Sequence, residues 1–531
     1  MTGRHAGLIV PLFSAASSAS WGIGEFPDVA PLSAWLAEGG FDRLMLLPVN
    51  AVPSADTSPY SAASAMALDP VYVAWPQVPD FERAGGDRAL PFDASDALEA
   101  ARRAVTVSYA DVRAAKRAAS RLACEAFVEH EWRPGTSRAD DLRRFIEREA
   151  WWLDDFALFR AIGESHDGSP WWEWSDEFAR REPAALEAAR ARLADEMLQQ
   201  QYVQWQADLQ WRDARQAAHR HGVAILGDLP FTVGADSADV WARRDIFRLD
   251  LSVGAPPDAF SETGQNWHVP CFDWPALAAS GYDWLRLRVR RMAALFDGLR
   301  VDHLVGLYRT YCWPQDGPPF FSPADEAAQA RQGDAILSIF LESSLELVAE
   351  DLGTVPDFVR ASMTRLGVPG SKVLRWERGR HEPRRPFVDP ATFPAASAAM
   401  TGTHDTEPLA TWWETMPPAD RWAAAALPML VEAGVTASDS WSDRLRDLFL
   451  EMTYGAGSHL ILVPVTDAFG WRVRINTPAT TGDHNWTWRL PWPVDRLREQ
   501  PEARERASYC RARALASGRA APAAAASNDG W

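Results

Sequence analysis

At 531 residues, 47 % hydrophobic and 24 % charged, the chain has the makeup of a globular protein with a large core. Its formal charge of −18 would repel nucleic acid and anionic membrane surfaces, and no apolar stretch approaches the roughly 20 residues of a membrane span. Lys116 and Lys372 are the only lysines, no GxxxxGK[ST] loop is present, and Pro27 stands where a dinucleotide motif opening at Gly22-Ile23-Gly24 would place its last glycine.

Arg4 and the apolar run Leu8 to Phe13 imitate a secretory signal, but Pro11 interrupts the run. A strand over Gly7 to Phe13 is the better reading. A Ser/Ala/Gly loop to Gly24, a helix over Val29 to Glu38 and a strand over Arg43 to Val49 follow. Next comes a loop rich in Pro, Ser and Asp that contains Ser58-Pro59-Tyr60-Ser61. From about Ser95 to His221 the pattern is helical, with Tyr202, Trp205 and Leu209 on one face of the last helix. That is too long for one crossover, so an insertion is expected over about 75–221.

Val223 to Leu226 then reads as a strand ending in Gly227-Asp228-Leu229-Pro230, with an active-site loop region expected over about 229–283. Leu285, Val289, Met292 and Phe296 mark a helix, after which Leu299 and Val301 shift the pattern to period two. Arg300 and Asp302, two apart on a strand, share a face. A guanidinium there keeps a carboxylate ionised, although a structural ion pair has the same signature. Leu345 to Ala349 ends in Glu350-Asp351-Leu352-Gly353, and Ala399 to Thr403 in His404-Asp405. The Ala-rich stretch over 516–531 lacks periodicity and is expected to be a disordered tail.

Four apolar strands thus each stop at an acid. An acid just past a strand can be a helix N-cap, but their recurrence predicts an α/β fold. The expected architecture is a (β/α)₈ TIM barrel with large, mainly helical insertions, one catalytic unit over 1–515. Asp228, Asp302, Glu350 and Asp405 should surround its mouth. The four cysteines Cys124, Cys271, Cys312 and Cys510 are far apart, form no CxxC pair and read as reduced thiols of a cytoplasmic protein.

Of the 26 tryptophans most should fill core, while Trp267 and Trp486 sit in polar stretches and are candidate stacking platforms. Indole faces pack on pyranose C–H faces, and carboxylates bond sugar hydroxyls. A mouth of acids and Trp therefore suits a neutral sugar polymer better than a phosphorylated ligand.

With these motifs in order, the chain resembles the 4-α-glucanotransferases (amylomaltases, disproportionating enzymes) of glycoside hydrolase family 77. The likeness runs from Pro11 to about Trp492. It includes Asp236-Ser237-Ala238-Asp239-Val240-Trp241, Pro256-Pro257-Asp258, Thr263-Gly264-Gln265, Arg474-Ile475-Asn476 and Asn485-Trp486-Thr487-Trp488-Arg489 besides the strand ends above. The resemblance implies transfer of α-1,4-glucan segments between maltooligosaccharides by a retaining mechanism, without metal or organic cofactor. Asp302 matches the nucleophile, Glu350 the acid/base and Asp405 the transition-state stabiliser. Arg300, His303, His404, Asp228, Tyr60, Ser58, Trp267, Asp258, Phe260 and Asn476 match sugar-binding positions. A charged Asp302 is expected to keep Glu350 protonated. Ala259, His268, Val269, Val305 and Thr406 depart from the family pattern, which bears on acceptor preference and the ratio of transfer to hydrolysis. The competing readings are a glucan-binding protein without turnover, a mainly hydrolytic relative, and a metal hydrolase using His221, Asp228, His303, His404 and Asp405.

Overall fold

The computed structural model describes residues 3–54, 56–257, 263–379, 386–478, 480, 482 and 484–520. In chain order its strands are β1 (His5–Ile9), β2 (Arg43–Met45), β3 (Ala224–Leu229), β4 (Phe247–Ala255), β5 (Gln265–Phe272) and β6 (Gly298–Val301). They continue as β7 (Thr310–Pro314), β8 (Phe320–Ser322), β9 (Glu346–Ala349), β10 (Gly370–Val373), β11 (Ser397–Met400) and β12 (Leu460–Pro464). Eight close into a parallel barrel in the order β1-β12-β11-β10-β9-β6-β3-β2. This is the (β/α)₈ architecture expected from the recurrent strand ends.

Period-two alternation sorts the barrel side chains into two cores. Leu8, Ile225, Leu299, Leu347, Ile461 and Val463 face outward into the main core. Ile9, Met45, Leu226, Val348, Val373, Met400 and Leu462 face inward and fill the bore. At its floor Arg43 and Glu346 pair at 2.8 Å. Two residues beyond Leu226, Gly298 and Val348, on the same inward face, stand Asp228, Arg300 and Glu350. Apolar filling below therefore gives way to charge at the C-terminal mouth.

Between β2 and β3 lie the helices Phe92–Arg103, Tyr109–Phe127, Ser137–Ser165, Pro183–Arg192 and Ala194–Arg220. Tyr202 and Trp205 pack on Phe127 with ring centroids 5.0 and 5.6 Å away, while Leu209 is half-buried. The first strand stops at Ile9, and Leu12–Ser14 already turns as a 3₁₀ segment after Pro11. The second stops at Met45, and Asp228 falls inside β3 instead of after it.

A second sheet, antiparallel in the order β5-β4-β7-β8, occupies part of the region expected to be loop. Its signal was legible: Phe247, Leu249, Leu251 and Val253 alternate with Arg248, Asp250 and Ser252. All four cysteines are buried and free, and Cys271 and Cys312, 41 residues apart, approach to 3.4 Å between sulfurs within this sheet. The described chain stays packed beyond residue 516. Arg519 is buried and donates to the carbonyls of His5, Tyr454, Ala456, Ser458 and His459. Among the described residues no helix is long and apolar enough to cross a membrane.

Candidate active site

Strand register assembles the mouth. Asp228 lies opposite Arg300 on β3 and β6, and Val301 opposite Ala349 on β6 and β9. One residue further, the amide of Glu350 donates to the carbonyl of Val301 and that of Asp302 to Leu229, which sets Asp302 beside Glu350. Arg300 reaches all three acids. Its Nη1 donates to both Asp228 oxygens at 2.7 Å and to Asp302 at 3.0 Å, and its Nη2 lies 3.2 Å from Glu350. Burial opposes its charge, but the three carboxylates outweigh that and hold the guanidinium charged.

One positive charge cannot neutralise three acids, and this reverses an expectation. Burial and the facing Glu350 charge push the Asp302 carboxyl well above its ordinary range, despite Arg300. Burial also opposes the Glu350 charge, but Arg300 and the His303 amide, which donates to Glu350 Oε2 at 2.6 Å, bring its carboxyl below the ordinary range. Asp302 and Glu350 face each other closely enough to oppose each other's charge, so the two carboxyls titrate as a pair. The sequence reading expected a charged Asp302 and a protonated Glu350; in the sugar-free site the shifts run the other way, Asp302 upward and Glu350 downward. The reason is the number of donors: Glu350 has a backbone amide that Asp302 lacks.

Asp405 stands across the mouth. Burial raises its carboxyl, yet the His404 ring, the Asn476 amide and Arg300 together bring it down to about 2. Asn476 Nδ2 donates to its Oδ1 at 2.6 Å and Arg474 Nη2 to its carbonyl at 2.6 Å. Tyr60 links the two sides. Its hydroxyl donates to Asp228 at 2.7 Å, and its oxygen sits 2.9 Å from His404 Nε2, the ring nitrogen that also faces Asp405 at 3.3 Å. Tyr60 stacks on His404 at 5.3 Å. Burial, then the Asp228 charge, raises its phenol well above 10, so it remains a neutral donor.

The candidate sugar contacts divide by access. The side chains of Asp302, Glu350 and Asp405 keep 22 %, 22 % and 39 % of their surface open, whereas Asp228 keeps 0 % and Arg300 4 %. Asp228 is thus wholly committed to Arg300 and Tyr60 beneath the mouth. Asn476 is buried against Asp405, and Ser58 accepts the Tyr60 amide through its Oγ at 3.3 Å. Trp267, half-buried on β5, sets its ring edge-on to His303 at 4.7 Å. Trp486 is no platform: it is buried, with a left-handed backbone (φ 63°), and backs Tyr60 and His404 at 5.6 and 5.8 Å. Asp258, Phe260 and Ala259 lie outside the described residues. His221 ends the helix before β3, at the opposite end of that strand from Asp228, so the set named for a metal site is not brought together.

Supporting residues went unread in the sequence. Arg288, buried, donates to the carbonyls of Pro230 and Phe231 and fixes the turn after Asp228, and Arg474 holds the Asp405 backbone. Their signal was arginine at a buried helical or motif position. The Asp239 motif pins the Tyr60 loop: Asp239 accepts from the Ala65 amide at 2.8 Å and from Trp284 Nε1 at 3.1 Å. Thr406, where the family more often has Asn, closes the His404-Asp405 turn by accepting from the Thr403 amide at 3.0 Å.

The family model for 4-alpha-glucanotransferases of glycoside hydrolase family 77 matches residues 10–495. The chain belongs to this family. It is therefore a glycosyl-transferring enzyme with 4-alpha-glucanotransferase activity. It is 31 % identical to the 4-alpha-glucanotransferase of Chlamydia pneumoniae over 513 residues, 93 % of each chain, and 33 % identical to that of Thermus thermophilus over 405 residues, 72 % of this chain and 78 % of that one. In fold it matches the amylomaltase of Streptococcus agalactiae (TM-score 0.81, 23 % identity, 98 % of this chain and 100 % of that one). The Corynebacterium glutamicum amylomaltase matches at TM-score 0.78 and 23 % identity, over 97 % of this chain and 75 % of that one.

Proposed function

We propose that this family member moves α-1,4-glucan segments between maltooligosaccharides by double displacement through a glycosyl ester on Asp302. The observation that carries this reading is the pairing of Asp302 and Glu350, both partly open at the barrel mouth, on the two ends of one guanidinium, 3.0 and 3.2 Å from Arg300. A retaining pair works at about 5–5.5 Å. With an anomeric carbon between the two carboxyls, the proton belongs on Glu350, beside the glycosidic oxygen. Asp302, left anionic against Arg300, attacks the anomeric carbon. The bond to the glycosidic oxygen breaks and that oxygen takes the proton of Glu350. An acceptor 4-hydroxyl then gives its proton to Glu350 and displaces Asp302. Asp405, low in pKa and held by His404 and Asn476, stays charged to bond ring hydroxyls as the sugar flattens.

Water at about 55 M competes with acceptor at roughly 1 mM, so excluding water and binding acceptor must favour transfer by on the order of 6 kcal/mol. The β4–β5 hairpin, which brings Trp267 over His303, is the element placed to do this. The Streptococcus agalactiae amylomaltase was solved with acarbose, which supports an α-glucan in the corresponding cleft here.

Maltotriose should yield glucose and a ladder of longer chains; glucose and maltose without a ladder would show a hydrolase. D302N should lose on the order of 10⁴-fold or more in turnover with its fold intact. E350Q given α-maltotriosyl fluoride, whose leaving group needs no acid, should gain the mass of one glycosyl group. No mass gain under turnover of the fluoride would overturn the ester.

A further inference from the structure

Outside the mouth, one cavity has the opposite electrostatic character. About 120 Å³ in volume, it lies between the helices Tyr109–Phe127, Ser137–Ser165 and Ala194–Arg220 and the segments 51–54 and 69–71. One water needs roughly 10–15 Å³ by this measure, so the space suits a small organic molecule. Arg113, Lys116, Arg117, Arg121 and Arg160 line it against only two acids, Asp69 and Glu164, in a chain of net charge −18.

The cations are not equivalent. Lys116 is taken by Glu25 at 2.6 Å, and Arg113 by the carbonyls of Ser54 and Asp56 at 2.6 and 2.7 Å. Among the described residues Arg117, Arg121 and Arg160 make neither an ion pair nor a side-chain hydrogen bond. Arg113, Arg117 and Arg121 recur every four residues on one helix, where like charges repel. Arg160, half-buried on the facing helix, loses hydration without gaining a bonded partner. Three guanidiniums without a protein partner, two of them exposed (Arg117 and Arg121) and one half-buried (Arg160), line one space and favour a doubly charged, multi-oxygen anion. Gln199 and Gln200, whose amide nitrogens donate to Ser120 at 3.4 Å and Glu164 at 3.1 Å, add side-chain carbonyl acceptors to the same wall.

We propose that this cavity binds a small phosphomonoester of the sugar-phosphate class, its phosphoryl group between Arg160 and the Arg117–Arg121 face and its hydroxyls on the glutamines. The site adjoins the active-site loop. Arg113 holds Asp56, whose carboxylate accepts the Ser58 amide at 2.9 Å, two residues before Tyr60.

Calorimetric titration of the full chain at low salt with glucose 1-phosphate, inorganic phosphate and glucose tests this. The hexose phosphate should bind saturably and more weakly as salt rises, and glucose should not bind. R160Q should weaken binding about tenfold or more. R121Q, at an exposed position and so without cost to folding, should weaken it by a smaller factor. Inorganic phosphate binding as tightly as the ester supports a site that reads the phosphoryl group; tighter ester binding supports added sugar contacts. Glucose binding equal to the ester, binding unchanged in both variants, or no binding of either anion at millimolar concentration overturns the proposal. Because binding is read directly, the outcome is separate from that of the maltotriose assay.

Discussion

His303 carries a left-handed backbone (φ 45°) immediately after Asp302, a conformation that a non-glycine residue holds only when its surroundings enforce it. The turn aims its amide at Glu350, while Trp267 and Phe231 enclose its ring at 4.7 and 5.5 Å. Burial, partly offset by the Glu350 charge, pulls the imidazole down to about 4. An unfolded chain protonates this histidine near 6.5. Between those values the unfolded state binds more protons, so His303 makes stability fall as pH drops from about 6.5 toward 4. His303→Asn, which tolerates the positive φ, should flatten the dependence of the urea midpoint on pH across that window. A slope equal to the parent's would show that the ring is already solvated.

At the scale of elements, the Gly22-Ile23-Gly24 segment shows what a motif can hide. It failed as a nucleotide loop, and its glycines serve packing. A Cβ on Gly24 would sit 1.8 Å from the Leu12 carbonyl, and Gly22 (φ 80°) faces the Ala101 carbonyl, which a Cβ would meet at 2.5 Å. The Gly22 contact brings the segment after β1 against the helix Phe92–Arg103, and the Gly24 contact folds that segment back on its own Leu12–Ala15 turn. Gly24→Ala should therefore cost about 1–3 kcal/mol, read as a lower urea midpoint, with the backbone forced to shift. Tyr60 illustrates the same dependence on neighbours. Tyr60→Phe removes one of the two donors to Asp228 Oδ2, leaving Arg300, and should lower both stability, by about 1.5–3 kcal/mol for a hydrogen bond to a charged group, and turnover.

For the whole molecule, barrel closure depends on the chain's last described turn. Arg519 bonds five carbonyls where β1 meets β12, and burial lowers its guanidinium to about 9. A chain ended at Ala516, or Arg519→Ala, should lose about 3 kcal/mol or more, since several buried carbonyls lose their donor together. A melting temperature equal to the parent's in the shortened chain would refute this. Of the tail expected over 516–531, residues 516–520 are packed and the remainder lies outside the described residues; composition carries no record of a single arginine with five partners.

What the sequence by itself determined is whatever repeats locally. Period-two strands ending in Asp228, Asp302, Glu350 and Asp405 implied a parallel barrel, since alternation and strand ends are properties of neighbouring residues. Only the tertiary structure decided how Asp302 and Glu350 share one guanidinium and which acids are open. It also decided that Trp486 is a backing residue, and that arginines from separate helices line one cavity. Those outcomes depend on burial and on distances between groups remote in the chain. The field at Asp302 is set by Glu350 and the His303 amide across a strand register, which no local spacing encodes.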